Sequence, residues 1–188
     1  VMPWDVQRAP TDGVILGSND GEAWYKLTEF SGESYTSSTW KKLDVNATTP
    51  YTHYRLVFSK VGTGQHASIT EWRLFAEKPV TRMENVHISG QLSSETLQTG
   101  YIKWPRKSLK ANESEGYVAS ASSEFSTTGD HSSWHAFEDK GEYTNSNKPT
   151  WASENATFSS GSAAVSRTTG SDTFNHEWLQ IQLPQSIH

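Results

Sequence analysis

The sequence predicts an all-β protein with a sandwich architecture. Clusters of Gly, Asn, Asp, Ser and Pro recur about every eight to fifteen residues, and short runs of β-branched and aromatic residues lie between them. Short strands at this spacing are typical of sandwiches. No amphipathic helical pattern is longer than about two turns. The stretch "SSWHAFEDK" predicts only a short helical turn, with Ser132 or Ser133 as its N-cap.

The predicted strands fall into two strand-rich regions separated by a weaker one. In chain order they are "GVILG", "HYRLVFS", "ITEWRLFA", "GYVASAS", "ATFSS" and "WLQIQL". The last run alternates apolar and polar residues, as a half-buried strand does. Regions 1–76 and 117–188 contain these runs, whereas 77–116 is more polar. We expect 77–116 to be a connector with short strands that packs on a neighbour or on another chain, because it cannot bury a core alone.

The composition excludes several classes of protein. The 188 residues carry a net charge of -5, and the pI is about 5.8. Without a basic run, a nucleic-acid partner is not expected. No apolar stretch is long enough to span a bilayer. The chain has no cysteine, which excludes disulfides and thiol chemistry. Ser and Thr together make up about a quarter of the residues.

Three sequons for N-glycosylation occur, at Asn46, Asn112 and Asn155. The chain has eight Asn residues among many Ser and Thr, so about two sequons arise by chance in such a composition. The sequons are a weak indication of a glycosylated surface protein.

Several of these runs together resemble discoidin domains, also called coagulation factor V/VIII C-type domains. The similar segments are "VILGSNDGEAWYKL", "YTHYRLVFSKVGTGQHASITEWRLFAE", "GYVASASSEF", "WHAFEDK", "PTWASE" and "EWLQIQLPQSI". They lie in regions that cover roughly 148 of the 188 residues. The resemblance implies a galactose-binding-like jelly-roll fold.

The order of the similar segments is inverted relative to the family. Residues 117–188 resemble the first half of a discoidin domain, and residues 1–76 resemble the second half. Two explanations are open: a piece of a longer chain of repeats, which we favour, or one circularly permuted domain bridged by 77–116. In either case we expect each half to need a complement, from this chain or from a copy of it. The stretch from Val86, "VHISGQLSSETLQTGYIKWPRKSLKANESEGYVASASSE", also resembles segments of surface proteins of large DNA viruses and of phage-like fibres.

The family resemblance implies a structural calcium ion. The residues at matching positions are Glu138, Asp139, Thr150 and Glu71. Carboxylate and hydroxyl oxygens are the ligands that calcium prefers. Here the loop departs from the family pattern, since Glu138 replaces the usual Asp and an insertion follows. The alternative is that the loop carboxylates are a solvated turn and that Glu71 forms an ion pair with Arg73 or Arg55.

The tryptophans divide into expected core residues and expected surface residues. Those within strand patterns are expected in the core: Trp24, Trp72, Trp151 and Trp178. Those on predicted loops are expected to be partly exposed: Trp4, Trp40 and Trp134. An exposed aromatic ring that stacks on a sugar, with nearby polar groups for its hydroxyls, is the chemistry of a carbohydrate site.

The resulting ligand-binding candidates are Trp134, His131, His135, Arg167, Trp40 and Trp4. Two alternatives are open. Trp134 could close one end of the sandwich, and the two histidines could face solvent, since no third metal ligand accompanies them.

Catalysis is not expected. The sequence has no nucleophile elbow and no Gly-rich phosphate loop. The leading functional expectation is therefore a non-enzymatic structural or adhesive repeat of a larger extracellular or virion-surface protein, with other chains of the same assembly as partners. The alternative is a carbohydrate-binding module attached to a larger protein or enzyme. Apart from calcium, no cofactor is expected.

Overall fold

A computed structural model describes residues 1–36, 39–77, 100–125, 131–139 and 149–187. In these residues the regular structure consists of β-strands and one 3-10 helix, Ser133–Phe137. The strands are β1 (Met2–Pro3), β2 (Pro10–Ser18), β3 (Tyr25–Phe30), β4 (Tyr51–Val61), β5 (Ser68–Glu71), β6 (Leu74–Glu77), β7 (Tyr101–Trp104), β8 (Glu113–Ser114), β9 (Tyr117–Ala121), β10 (Trp151–Ala152), β11 (Phe158–Ser159), β12 (Ser162–Ala163), β13 (Ser166–Thr169), β14 (Asp172–Asn175) and β15 (Glu177–Ile187).

The largest sheet is antiparallel and is built around β4. Strands β2 and β15 both pair with β4, β3 adds to β2, and β9 followed by β8 adds to β15. The short β12 pairs with the end of β4 and carries β11. Since β4 lies in region 1–76 and β15 in region 117–188, strands of the two regions share one sheet.

A three-stranded sheet of β1, β5 and β10 packs on the large sheet. The contact is direct: the rings of Phe58 in β4 and Trp151 in β10 meet edge to face, with centroids 6.0 Å apart. Both rings are fully buried, as are Leu56 and Leu179 on paired central strands. The antiparallel sheets and the core they share confirm the prediction of an all-β protein.

The tryptophan expectations are right for two of the four core candidates. Trp72 and Trp151 are buried. Trp24 and Trp178 are only half-buried, so the expectation that they lie in the core is wrong. The physical reason for Trp178 is strand alternation: Leu179 faces the core, and its neighbour must therefore face outward.

On the outer face, Trp24 and Trp178 hold the guanidinium of Arg55 between them. The Cζ atom of Arg55 lies 4.0 Å from the centroid of the Trp24 ring and 4.2 Å from that of Trp178. The guanidinium also donates two hydrogen bonds to Gln180 Oε1, of 2.9 and 2.7 Å, and one of 3.3 Å to Thr169 Oγ1. Burial lowers the pKa of Arg55 to about 10. The hydrogen bond to Thr169 links the end of β13 to the large sheet.

The second half of the connector packs on its own chain. Strand β7 pairs with β6 in an antiparallel ladder, and Trp104 and Leu109 are buried in the common core. Residues 100–116 thus pack on a neighbouring part of the same chain, which is one of the two alternatives expected for the connector. Residues 78–99, the rest of the connector, lie outside the described residues.

The short helical turn expected around Ser133 is present as the 3-10 helix. Ser132 is the N-cap residue but makes no side-chain capping hydrogen bond. Asn112 serves instead: its Oδ1 accepts hydrogen bonds from Ser133 Oγ at 2.9 Å and from the Trp134 backbone N–H at 3.3 Å.

Candidate binding surface

The β6–β7 pair has one buried face and one exposed face. Leu74 is opposite Trp104 and Ala76 is opposite Ile102, and these four side chains pack against the core. Because side chains alternate along a strand, the residues between them point outward. The outward set consists of Phe75, Glu77, Tyr101 and Lys103, with Arg73 in the same phase just before β6.

Two large aromatic rings are exposed on this face. Phe75 is 58% exposed and Tyr101 is 73% exposed. Phe75 is directly opposite Lys103, and Tyr101 is directly opposite Glu77. Phe75 and Tyr101 are therefore diagonal neighbours on one side of the ladder, a position within reach of aromatic side chains.

A third exposed ring, that of Trp40, joins them from the loop between β3 and β4. Trp40 is 36% exposed, and the Cζ atom of Arg73 lies 4.4 Å from the centroid of its ring. The pKa of Lys42 is raised, chiefly by its contact with Asp44 and to a smaller extent by nearby Tyr101. The loop thus runs along the exposed side of β6 and β7. We call the surface formed by Trp40, Phe75 and Tyr101 the aromatic face.

Charged residues beside the aromatic face form a chain of ion pairs. Arg73 Nε donates to Glu71 Oε1 at 2.6 Å, and Arg73 Nη2 donates to Asp139 Oδ1 at 2.9 Å. Lys103 Nζ donates to the other carboxylate oxygen, Asp139 Oδ2. Glu71 is only 1% exposed in its side chain, whereas Asp139 and Lys103 are about one-third exposed. These ion pairs link Asp139, in the loop after the 3-10 helix, to Arg73 just before β6 and to Lys103 in β7.

The four residues assigned to calcium by resemblance are placed among other partners. Glu71 and Asp139 share the guanidinium of Arg73, as described above. Thr150 Oγ1 is 3.1 Å from Ser68 Oγ, and Glu138 Oε2 is 3.1 Å from His135 Nδ1. Within residues 1–36, 39–77, 100–125, 131–139 and 149–187, no group of three or more His, Cys, Asp or Glu side chains is arranged to hold a metal ion. The calcium ion that the resemblance implies stays a prediction, since residues 140–148 of the same loop lie outside the described residues.

Most of the predicted sugar-binding residues are engaged in the fold. His131 Nδ1 lies 2.9 Å from the carbonyl oxygen of Thr150, so the two histidines have different partners. Trp134 is half-buried, packs against the core and has its ring centroid 3.8 Å from that of His135. Trp4 is also half-buried.

Arg167 is the clearest structural residue among the predicted ligands. Its Nε and Nη2 donate hydrogen bonds of 3.0 and 2.9 Å to Glu177 Oε1. Glu177 is fully buried, so its charge requires this partner. Of the six predicted ligand residues, Trp40 is the one that lies on the aromatic face.

The other residues of the aromatic face, Phe75 and Tyr101, were not among the predicted ligand residues, because only tryptophans on predicted loops were considered as exposed rings. Phe75 lies in the run "EWRLFAE", at the end of a predicted strand. A signal was present: Arg73, Phe75 and Glu77 share one phase, and a phase that combines an aromatic ring with two charges is typical of an outward face.

All three sequon asparagines, Asn46, Asn112 and Asn155, are exposed. Asn112 also has a structural contact, because its amide oxygen caps the 3-10 helix. Among the described residues there is no helix long and apolar enough to cross a membrane.

No family model, curated protein or solved structure matches the chain. The resemblance to discoidin domains, with the jelly-roll topology that it implies, accordingly stays a prediction.

Proposed function

We propose that the protein is a non-catalytic adhesive or assembly module of a larger extracellular or virion-surface protein. In this proposal the aromatic face binds a neighbouring copy of the same module. The observation that supports it is the presence of three exposed aromatic rings on one ordered surface. Three exposed sequons agree with a location outside the cell.

The composition of this surface suits a protein interface. Tyr, Trp, Phe and Arg are the residue types enriched in the centres of interfaces and in their energetic hot spots. Here Phe75 and Tyr101 lie on paired strands and Trp40 is stacked on Arg73, so little conformational entropy is lost on binding.

The charges around the rings favour a second copy as the partner. Phe75 has the positively charged Lys103 beside it, and Tyr101 has the negatively charged Glu77 beside it. Such a surface is self-complementary under a two-fold rotation, which places Lys103 of one copy near Glu77 of the next.

Sedimentation equilibrium tests the proposal. The full chain is expected to form a concentration-dependent dimer, and the double variant Phe75→Ser, Tyr101→Ser is expected to weaken it at least about 30-fold, the effect of losing a hot-spot contact. Phe174→Ser is the matched control, because Phe174 is also exposed but lies on β14. A wild-type chain that stays monomeric at millimolar concentration, or equal weakening by the control, contradicts the proposal.

A carbohydrate-binding function is the second candidate. It is favoured by the exposed ring of Trp40 beside Arg73, because an aromatic face with adjacent charged donors is suited to a sugar ring and its hydroxyls. The Trp40→Ala variant separates the two functions: loss of retention on a glycan column, with self-association unchanged, supports carbohydrate binding.

A further inference from the structure

The guanidinium of Arg73 lies between two carboxylates that the family resemblance assigns to calcium. Its Nε is 2.6 Å from Glu71 Oε1, and its Nη2 is 2.9 Å from Asp139 Oδ1. The second oxygen of Asp139 accepts from Lys103. Both oxygens of Asp139 therefore face cationic N–H donors.

The charged side chains around Arg73 balance one another, so no excess negative charge is left to attract a divalent ion. Glu71 and Asp139 carry two negative charges, and Arg73 and Lys103 carry two positive charges, so the four side chains are neutral together. A calcium ion needs carboxylate oxygens at about 2.3–2.6 Å, and several of them. Binding here requires displacement of the guanidinium, which would otherwise repel the ion.

The burial of Glu71 explains why a cation is needed next to its carboxylate. The carboxylate of Glu71 is almost completely buried, and a buried charge is tolerated only with a close partner of opposite charge. The planar fork of arginine reaches two carboxylates at once, whereas a lysine ammonium is a single point of charge. Arg73 thus links Glu71, at the end of β5, to Asp139, two residues beyond the end of the 3-10 helix.

We propose that Arg73 takes the structural place of the calcium ion, so that the module folds and remains stable without divalent cations. The same guanidinium stacks on Trp40 and so positions one ring of the aromatic face. Arg73 is therefore a positioning residue. This inference concerns the stability of the fold and stands whether or not the aromatic face binds a second copy.

Thermal unfolding of the full chain in calcium chloride and in EDTA tests the proposal. The wild-type Tm is expected to be equal in the two solutions to within about 1 °C. Arg73→Gln leaves Glu71 without this partner and is expected to lower Tm by about 6 to 20 °C. Arg106→Gln is the matched control, because Arg106 is also stacked on a tryptophan, 4.7 Å from the ring of Trp104, but is exposed. Its Tm is expected to stay within about 2 °C of wild type.

Calcium titration followed by calorimetry gives a readout that does not depend on variants. No heat of binding is expected with the wild-type chain. Saturable calcium binding, or a rise in the wild-type Tm on addition of calcium, overturns the proposal, as does an Arg73→Gln variant as stable as Arg106→Gln. If Arg73→Gln does not fold, Arg73→Lys replaces it, with a smaller loss of Tm expected because one ammonium does not link both carboxylates.

Discussion

Adjacent residues of β15 provide a sharp test of which way each strand faces. Leu179 is fully buried opposite Leu56, whereas its neighbour Trp178 is half-buried on the outer face beside Arg55. The two variants to compare are Leu179→Ala and Trp178→Ala. If side-chain size decided the loss of stability, Trp178→Ala would be the more destabilising variant. If burial decides it, Leu179→Ala is.

The structure gives the magnitudes. Leu179→Ala leaves a cavity in a close-packed core and costs about 3–5 kcal/mol of unfolding free energy. Trp178→Ala removes one of the two rings that flank Arg55, a contact that contributes about 0.5–2 kcal/mol, together with part of an apolar area that is already half in water. We expect a loss of about 1–2.5 kcal/mol for Trp178→Ala.

Urea denaturation of both variants measures the difference. With an unchanged m value, the midpoint should fall clearly further for Leu179→Ala than for Trp178→Ala. Equal losses, or a larger loss for Trp178→Ala, would place the tryptophan in the core. Since a one-residue slip of a strand exchanges its two faces, that result would refute the register of β15 against β4.

Two further predictions concern the backbone and pH. Gly161→Ala should destabilise the fold severely, because a Cβ at this position, where φ is +80°, would lie 2.2 Å from the Gly62 carbonyl oxygen. Gly32→Ala, at φ +65° with no atom within 4 Å of the added Cβ, should cost only about 1–2 kcal/mol of unfolding free energy. Thermal unfolding of both variants measures the difference. If both cost the same, the close approach at Gly161 is wrong. Burial lowers the pKa of His176 in the folded state below its value in the unfolded chain. Its neutral form therefore stabilises the fold above the unfolded pKa near 6.5, and this contribution is lost as the pH falls through the lower folded pKa. Tm should decrease on acidification below about pH 6.5, and it should decrease less steeply in His176→Gln than in the wild type. If Tm depends on pH equally in both proteins, His176 is not the cause of the acid sensitivity.

The all-β class could be predicted because it depends on local patterns. Short β-branched runs between turn residues indicate strands without any knowledge of their partners. The buried positions of Trp72 and Trp151 followed from the same patterns. Trp178 was predicted wrongly because ring size was given more weight than alternation, although "WLQIQL" places Leu179, Ile181 and Leu183 in the buried phase.

The candidate site was much less predictable, because it depends on contacts between distant parts of the chain. Arg73 was considered as a partner of Glu71 only as an alternative to calcium, and its second link, to Asp139, spans 66 residues. Likewise, the proximity of Phe75 and Tyr101 follows from the pairing of β6 with β7, which neither strand encodes alone. Long-range pairing is set by how whole elements pack, and a local pattern does not contain it.

Site-specific photocrosslinking tests the central functional claim most directly. A benzophenone amino acid in place of Tyr101, which is 73% exposed, puts the reactive group on the aromatic face without disturbing the core. We predict a covalent dimer on irradiation, with the cross-linked peptides from residues 39–44, 73–77 or 101–104 of a second copy. The same group at Phe174 should yield monomer. Absence of a dimer from the Tyr101 position, or cross-links to peptides outside these segments, would contradict the proposed self-association through the aromatic face.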